Sequence, residues 1–348
     1  MKTILKYFTG SFVITAIGLA IGFYVGYAYT GTIKGGLSAL FLTFVLSILE
    51  VSLSFDNAVV NASVLKEMTP VWRHRFITWG IAIAVFGMRI VFPLVIVSLA
   101  AKVNPWAALV LAASQPEEYA RIMLESHVSL AGFGGAFLMM VALRYFFDKD
   151  KELHWLAIIE RPLVKMGKIQ AIELGLCLLM FYVFTHYMHD PTEQVTFLVS
   201  GIFGMVTFVV VDGISEFLKL PESGKNNIEK ASAAMFLYLE ILDASFSFDG
   251  VVGAFALTNN LFIIAAGLGI GAMFVRSMTI MLVEKETLSQ FRFLEHGAFY
   301  AIGALALMML LGVFVHVPEV VTGLIGAAII GVSVISSIRW ARTHPELS

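Results

Sequence analysis

Five carboxylates, Glu50, Asp56, Glu240, Asp243 and Asp249, and two arginines, Arg89 and Arg276, fall inside stretches that are otherwise apolar. Their neighbours in sequence are hard oxygen donors: the Asn57 and Asn61 amides and the hydroxyls of Ser52, Ser54, Ser245 and Ser247, with no Cys or His on either acidic segment. Oxygen-rich sets of this kind suit Mg, Ca or Mn and disfavour copper or structural zinc. Arginine keeps its charge in any setting, so the set holds three more negative charges than it neutralises internally. Protons or a cation must supply the rest.

The acids come in two copies. Aligning "SFDNAVV" (54–60) with "SFDGVVG" (247–253) matches Asp56 to Asp249, and six residues upstream it matches Glu50 to Asp243. Downstream, "GIAIAVFGMR" (80–89) meets "GLGIGAMFVR" (267–276), with the same Gly-to-Arg interval in both. Glu50, Ser54, Asn57 and Asn61 recur at helical spacing on one face, as do Glu240, Asp243 and Ser247. Asp56 and Asp249 lie about 120° away in a regular helix. Either the helix unwinds at Ser-Phe-Asp, where Gly250 and Gly253 would ease a break, or these acids turn toward the arginines.

The elements that carry these residues follow from composition. The chain has 348 residues, 59% of them hydrophobic and 14% charged, against about 25% charged in an average soluble domain. Its mean hydropathy is +0.86, so an all-α polytopic membrane protein is expected. Ten apolar stretches could span a bilayer: 10–30, 37–63, 77–101, 128–147, 171–189, 195–217, 232–257, 260–283, 296–315 and 318–340. The first is too long for a signal-peptide core and is read as a retained helix. Between spans, 104–126 reads as a surface or partly re-entrant excursion and 148–170 as an amphipathic cytoplasmic linker. That linker divides the chain into 1–147, with the first repeat, and 171–348, with the second.

Charge orients the spans. With ten helices, eighteen of the 23 Lys and Arg fall on the side that holds both termini and three on the other, so both termini are expected in the cytoplasm of a cell (inner) membrane protein. The motif helices are the second and seventh, an odd shift that inverts one copy against the other. The expected architecture is therefore 5+5 inverted repeats, with an ion site near the midplane where they meet. A charge at that depth costs about 2.5–3.5 kcal/mol on insertion scales, so the acids and arginines should face one another or water.

At these residues the sequence resembles the TerC family of the LysE-type exporters. "ILEVSLSFDNAVVNASVL" followed by "WGIAIAVFGMRI" is similar to its first signature, and "LEILDASFSFDGVVGAF" followed by "GLGIGAMFVRS" to its second. Glu50, Asp56, Asn57, Arg89, Glu240, Asp243, Asp249 and Arg276 occupy signature positions. The linker and the extra N-terminal helix depart from the pattern and suggest a long branch of the family. Asp249-Gly250 also departs, where the family often has Asp-Ser. The resemblance implies a multipass protein associated with tellurium resistance and manganese efflux.

These observations combine into proton-coupled export of a divalent cation, manganese first, by alternating access at the carboxylates. Arg89 and Arg276 would act as counter-ions or gates, and Asn61, Ser54 and Ser247 would be lesser contributors. The competing reading is a membrane scaffold of a metal or tellurite stress response, in which acid–arginine pairs only hold helices together. An enzyme is not expected, since neither His-Glu-x-x-His nor Gly-x-Ser-x-Gly occurs. Nor is nucleic acid, given the net charge of −2 and no basic run. The single cysteine, Cys177, excludes an internal disulfide, and no tightly bound cofactor is implied. The expected partners are the lipid bilayer, the cation and protons, with self-association left open. His186, His189 and Asp190 read as an aqueous rim. Glu173, Asp212, Glu216, Glu295 and His296 read as solvated helix ends, and the 16 methionines as packing.

Overall fold

The computed structural model describes residues 2–219, 225–315 and 317–344, leaving out the side chains of 2–5, 81, 215–216, 218–219, 225–227, 248–249, 289 and 319–320. Every regular element among these residues is helical. In chain order they are α1 (Lys2–Thr30), α2 (Ile33–Leu53), α3 (Phe55–Leu65), α4 (Pro70–Ala82), a π-helical segment (Ile83–Val91) and α5 (Phe92–Ala100). Then come α6 (Pro105–Ser114), α7 (Pro116–Glu125), α8 (His127–Phe146), α9 (Ala157–Met166), α10 (Ile172–Tyr187) and α11 (Pro191–Lys219). The chain ends with α12 (Lys225–Ala254), α13 (Leu261–Glu284), α14 (Thr287–Gln290), α15 (Leu294–Leu311) and α16 (Glu319–Thr343).

Nine helical stretches among the described residues are long and apolar enough to cross a bilayer. The remaining expected span, α10, has only 16 residues; it is cut short by the turn at Met188–Asp190, after which Pro191 starts α11. The protein is an all-α, multi-pass membrane protein. Local chemistry sets several helix starts. Thr32 accepts from the Gly35 amide at 3.1 Å, Asn104 from Ala107 at 2.8 Å, and Asn260 from Phe262 at 3.0 Å, each satisfying an amide that a helix N-terminus leaves open. The 104–126 excursion is the helix pair α6–α7, each opened by a proline in its first turn.

The motif helices pack side by side and antiparallel. Asn61 meets Asp243, Thr69 meets Ser232, and the space over Gly250 is bounded by Glu50, so rising numbers on α2–α3 face falling numbers on α12. The second motif pair does the same, with Gly80 against Arg276 and Val85 against Gly269. Glycines permit the approach of α13 to α2: a Cβ on Gly271 would lie 2.4 Å from the Glu50 side chain, and one on Gly267 2.6 Å from Leu46 Cβ.

Correspondence between the halves is closest over three helical spans each. The α2–α3 span packs on α13 and α15, and α12 packs in the same way on the α4 span and α8. The flanking helices dock differently: α1 lies on α2 and α13, whereas α11 lies on α8 and α12.

The linker, expected to be amphipathic, carries a buried charged cluster. Glu160 on α9 is fully buried, and Lys151 reaches it at 3.3 Å. His296, expected at a solvated helix end, is buried too, 3.4 Å from Glu160 and 2.9 Å from the Leu153 carbonyl. The aromatic wall formed by Tyr145, Phe299, Trp155 and Tyr300 excludes water there, so these charges find partners across the chain instead. Glu295 pairs with Lys66 at 3.6 Å, and Glu173 and Asp212 pair with Arg144 at 3.5 and 3.4 Å. The Glu216 side chain lies outside the described residues.

Candidate functional site

Each arginine faces the acid of its own half. Arg89 forms an ion pair with Glu50 and donates from Nη1 to the Ala84 carbonyl at 2.7 Å. Arg276 lies 3.4 Å from Asp243 and 4.0 Å from Glu240, donates to the Gly80 carbonyl at 2.8 Å, and rests 3.8 Å from the centre of the Phe76 ring. Asn61 ties the halves together by donating to Asp243 at 2.9 Å. All of these side chains are buried.

The backbone is irregular in one half only. The first motif helix stops at Ser54, whose φ of −107° and ψ of 19° are not helical, and α3 starts again at Phe55. Here the Asn57 amide is satisfied by Asp56 Oδ1 at 2.9 Å. The glycine-bearing copy, where a break would be cheaper, continues as one helix to Ala254. The segment before and through Arg89 is a π-helix that ends just ahead of Pro93, which has no N–H to bond the Arg89 carbonyl four residues back. The position four after Arg276 is Ile280, and α13 is regular.

Asp56 is buried but meets neither arginine; among the described residues it has no cationic partner. It lines a cavity of about 30 Å³ with Glu50, Ser54, Gly250, Thr322 and Gly326. A second space, of about 10 Å³, lies between Glu50, Asn57, Asn61, Arg89, Asp243 and Arg276. A water needs roughly 10–15 Å³ on this measure, so the first space admits one and the second is at the limit. Asn57 and Asn61, which line the second space, each have an Oδ1 without a hydrogen bond among the described residues, and so do Ser247 Oγ and both Glu240 carboxylate oxygens on α12, outside the lining of either space.

The structure thus brings Glu50, Ser54, Asp56, Asn57, Asn61, Arg89, Glu240, Asp243 and Arg276 to two neighbouring layers, with Ser247 buried on the same helix as Asp243. Asp249 lies on α12, but its side chain is outside the described residues. Ser52 and Ser245 turn back to bond the carbonyls of Ile48 and Ile241. Sequence reasoning missed the last helix, which brings Thr322, Gly323 and Gly326 to Asp56; its signal was the small-residue run Thr-Gly-x-x-Gly in an apolar span. It also missed the Gly80 and Ala84 carbonyls as guanidinium acceptors. No three His, Cys, Asp or Glu side chains among the described residues are grouped closely enough to hold a metal ion.

A family described as "Protein of unknown function (DUF475)" matches residues 55–344, which takes in both Asp motifs and both arginines and leaves Glu50 just ahead of its start. No curated protein and no solved structure matches the chain.

Proposed function

The chain belongs to the DUF475 family, and from its site we propose that it is a secondary transporter exporting a divalent cation, manganese first, in exchange for protons. The observation that carries this reading is Asp56, a buried acid with no cationic partner among the described residues, beside a space that admits a water-sized ion. A carboxylate in that position needs a proton or a metal ion. Glu50, Asp56, Asn57, Glu240, Asp243 and Asp249 are taken as the exchanging set, with Ser54, Ser247 and Asn61 in support and Arg89 and Arg276 as counter-ions. A dication would take Glu50 or Asp243 by displacing its guanidinium, so arginine and cargo compete for the same oxygens. The helix break at Ser54 and the π-helical turns before Arg89 put the deformable backbone in the first half. Inverted motif helices meeting at such a site are the arrangement that alternating access uses. The charge distribution puts the termini and linker in the cytoplasm of the cell (inner) membrane. The resemblance of the motif helices to the TerC family points to the same activity.

A scaffold without transport is the second reading. Its support is that Glu50 and Asp243 are already paired with arginine and that no metal-holding group of three stands among the described residues. The test is manganese tolerance in cells and flux in proteoliposomes. Asp56→Asn and Asp249→Asn should each abolish tolerance at unchanged membrane protein level, and the wild type should move Mn²⁺ against a proton gradient. Normal transport by both variants, or no cation flux by the wild type under any gradient, rejects the exporter and leaves the scaffold.

A further inference from the structure

A cavity of about 690 Å³ opens among the ends of α7, α8, α12, α15 and α16, on the face that carries the 255–260 and 312–315 turns. Its walls are apolar, with Leu257, Met308 and Phe314 among them, and its polar side chains are His127 and Thr322. Thr322 also lines the space around Asp56, and Glu50 lines both that space and the layer between the two arginines. Three spaces therefore follow one another inward, of about 690, 30 and 10 Å³.

Past the innermost layer the packing is dense. Phe76 is fully buried between Arg276 and Phe236, Trp72 lies on Phe236, and the Thr69 amide is held by Ser232. Arg73 closes the turn below by donating to the Leu65 and Lys66 carbonyls, both at 3.1 Å. The gradient of space thus runs from the face opposite the linker to Asp56 and ends at Glu50.

We propose that this cavity is the entrance through which a hydrated cation from the face opposite the linker reaches Asp56, with Thr322 at its neck and the Glu50–Arg89 pair as the barrier beyond. The cavity walls carry no carboxylate, so the first acids an ion meets are Asp56 and Glu50 around the next space, and Glu50 also lines the layer beyond. In an exporter the same path is the exit, and Asp56 and Glu50 are the last acids the cation leaves. This meaning rests on the transport reading, but the route itself is tested without transport.

Cysteine accessibility provides that test. Cys177, the chain's only cysteine, is fully buried and serves as the unreactive blank. In full-length protein in vesicles of known orientation, Thr322→Cys is exposed to a charged, membrane-impermeant thiosulfonate from each side. Leu257→Cys at the cavity rim and Lys66→Cys at the opposite end mark the two faces. Thr322→Cys should react from the side that labels Leu257→Cys and not from the side that labels Lys66→Cys. Leu305→Cys, which lines the Asp56 space, is the second probe should Thr322→Cys fail to accumulate, and should behave alike. Failure of the neck probe to react while Leu257→Cys reacts, or reaction from the Lys66 side, overturns the entrance. Protection of the reactive thiol by Mn²⁺ bears on the cargo alone: labelling without protection keeps the entrance and counts against manganese.

Discussion

Glu160 and Glu240 are both buried acids, yet their surroundings differ in kind. Glu160 accepts from the Trp155 and Leu156 amides at 3.2 and 3.1 Å and has Lys151 and His296 at 3.3 and 3.4 Å, all inside an aromatic shell. Glu240 has no hydrogen-bond partner for either oxygen among the described residues, and its nearest cation, Arg276 at 4.0 Å, is closer to Asp243 and to the Gly80 carbonyl. A buried charge that serves the fold is satisfied where it stands, because an unsatisfied one costs stability. Glu160 meets that standard, with two amides and two cations on its oxygens, although Lys151 Nζ and His296 Nδ1 beside it have no hydrogen bond among the described residues. Glu240 does not, although Glu50 and Asp243 near it are hydrogen-bonded, and the open oxygens of Asn57 and Asn61 belong to residues that line the small space between the two arginines.

The largest effect should come from removing Glu160, the satisfied acid. Glu160→Ala strands Lys151 in an aromatic pocket, 3.8 Å from the Tyr145 ring centre, and leaves two amides unpaired. Loss of one partner of a buried pair costs about 3–5 kcal/mol. Thermal unfolding of the purified protein should drop accordingly, and protease should cut between 148 and 156 as α9 undocks. A variant as stable as the wild type would erase the distinction between the clusters.

Which of these features was legible beforehand follows a physical line. The helical spans, the antiparallel motif helices and the burial of the acids rest on local apolar patterning and on an internal repeat, and both can be read along the chain. Lys151, Glu160 and His296 carry no such pattern. Their burial comes from contacts distant in sequence, such as His296 with the Leu153 carbonyl 143 positions away, which a charged stretch does not announce. The break at Ser54 was legible as one of two alternatives, unwinding at Ser-Phe-Asp, but Gly250 and Gly253, which would ease it, lie in the copy that stays helical, since conformational freedom permits a break without requiring one. The π-helical segment before Pro93 carries no apolar or repeat pattern that would announce it.

A second perturbation, of middling size, asks whether packing holds the midplane acids in place of hydrogen bonds. On Gly271 an added Cβ would meet Glu50 Cβ and Cγ at 2.4 Å, too close for any real contact. Gly271→Ala should cost about 1–3 kcal/mol by overpacking and should push Glu50 off Arg89. Thermal unfolding measures the first effect. Loss of manganese tolerance in cells at wild-type protein level measures the second, and unchanged tolerance would show that the Glu50–Arg89 geometry is not what transport uses.

The linker cluster also makes a pH prediction. Burial holds the Lys151 ammonium below its ordinary 10.5, outweighing the opposing pull of Glu160. With the linker undocked the side chain returns to 10.5, so between the two values the undocked state binds more protons and stability rises with pH. Below that window both states are protonated and Lys151 contributes no slope. Thermal unfolding of the wild type from neutral to alkaline pH should show this contribution, and Lys151→Met should remove it. An identical alkaline profile in the two proteins would place Lys151 in water.

The smallest change in stability, and the sharpest separation of the clusters, belongs to Glu240→Gln. Asp243 keeps Arg276 at 3.4 Å and Asn61 at 2.9 Å, so the guanidinium is not stranded when Glu240 loses its charge. What the substitution removes is a buried anion with no hydrogen bond among the described residues, and a neutral amide of the same shape costs less to hold there. Unfolding temperature should stay level or rise, the opposite of the result at Glu160. Transport should fall all the same, because Glu240 belongs to the surplus of acids that makes the site a place for a cation or proton. Both measurements on one preparation decide the matter. A loss of stability comparable to that of Glu160→Ala would mean that Glu240 is a structural charge after all, and retained flux with retained stability would remove it from the exchanging set.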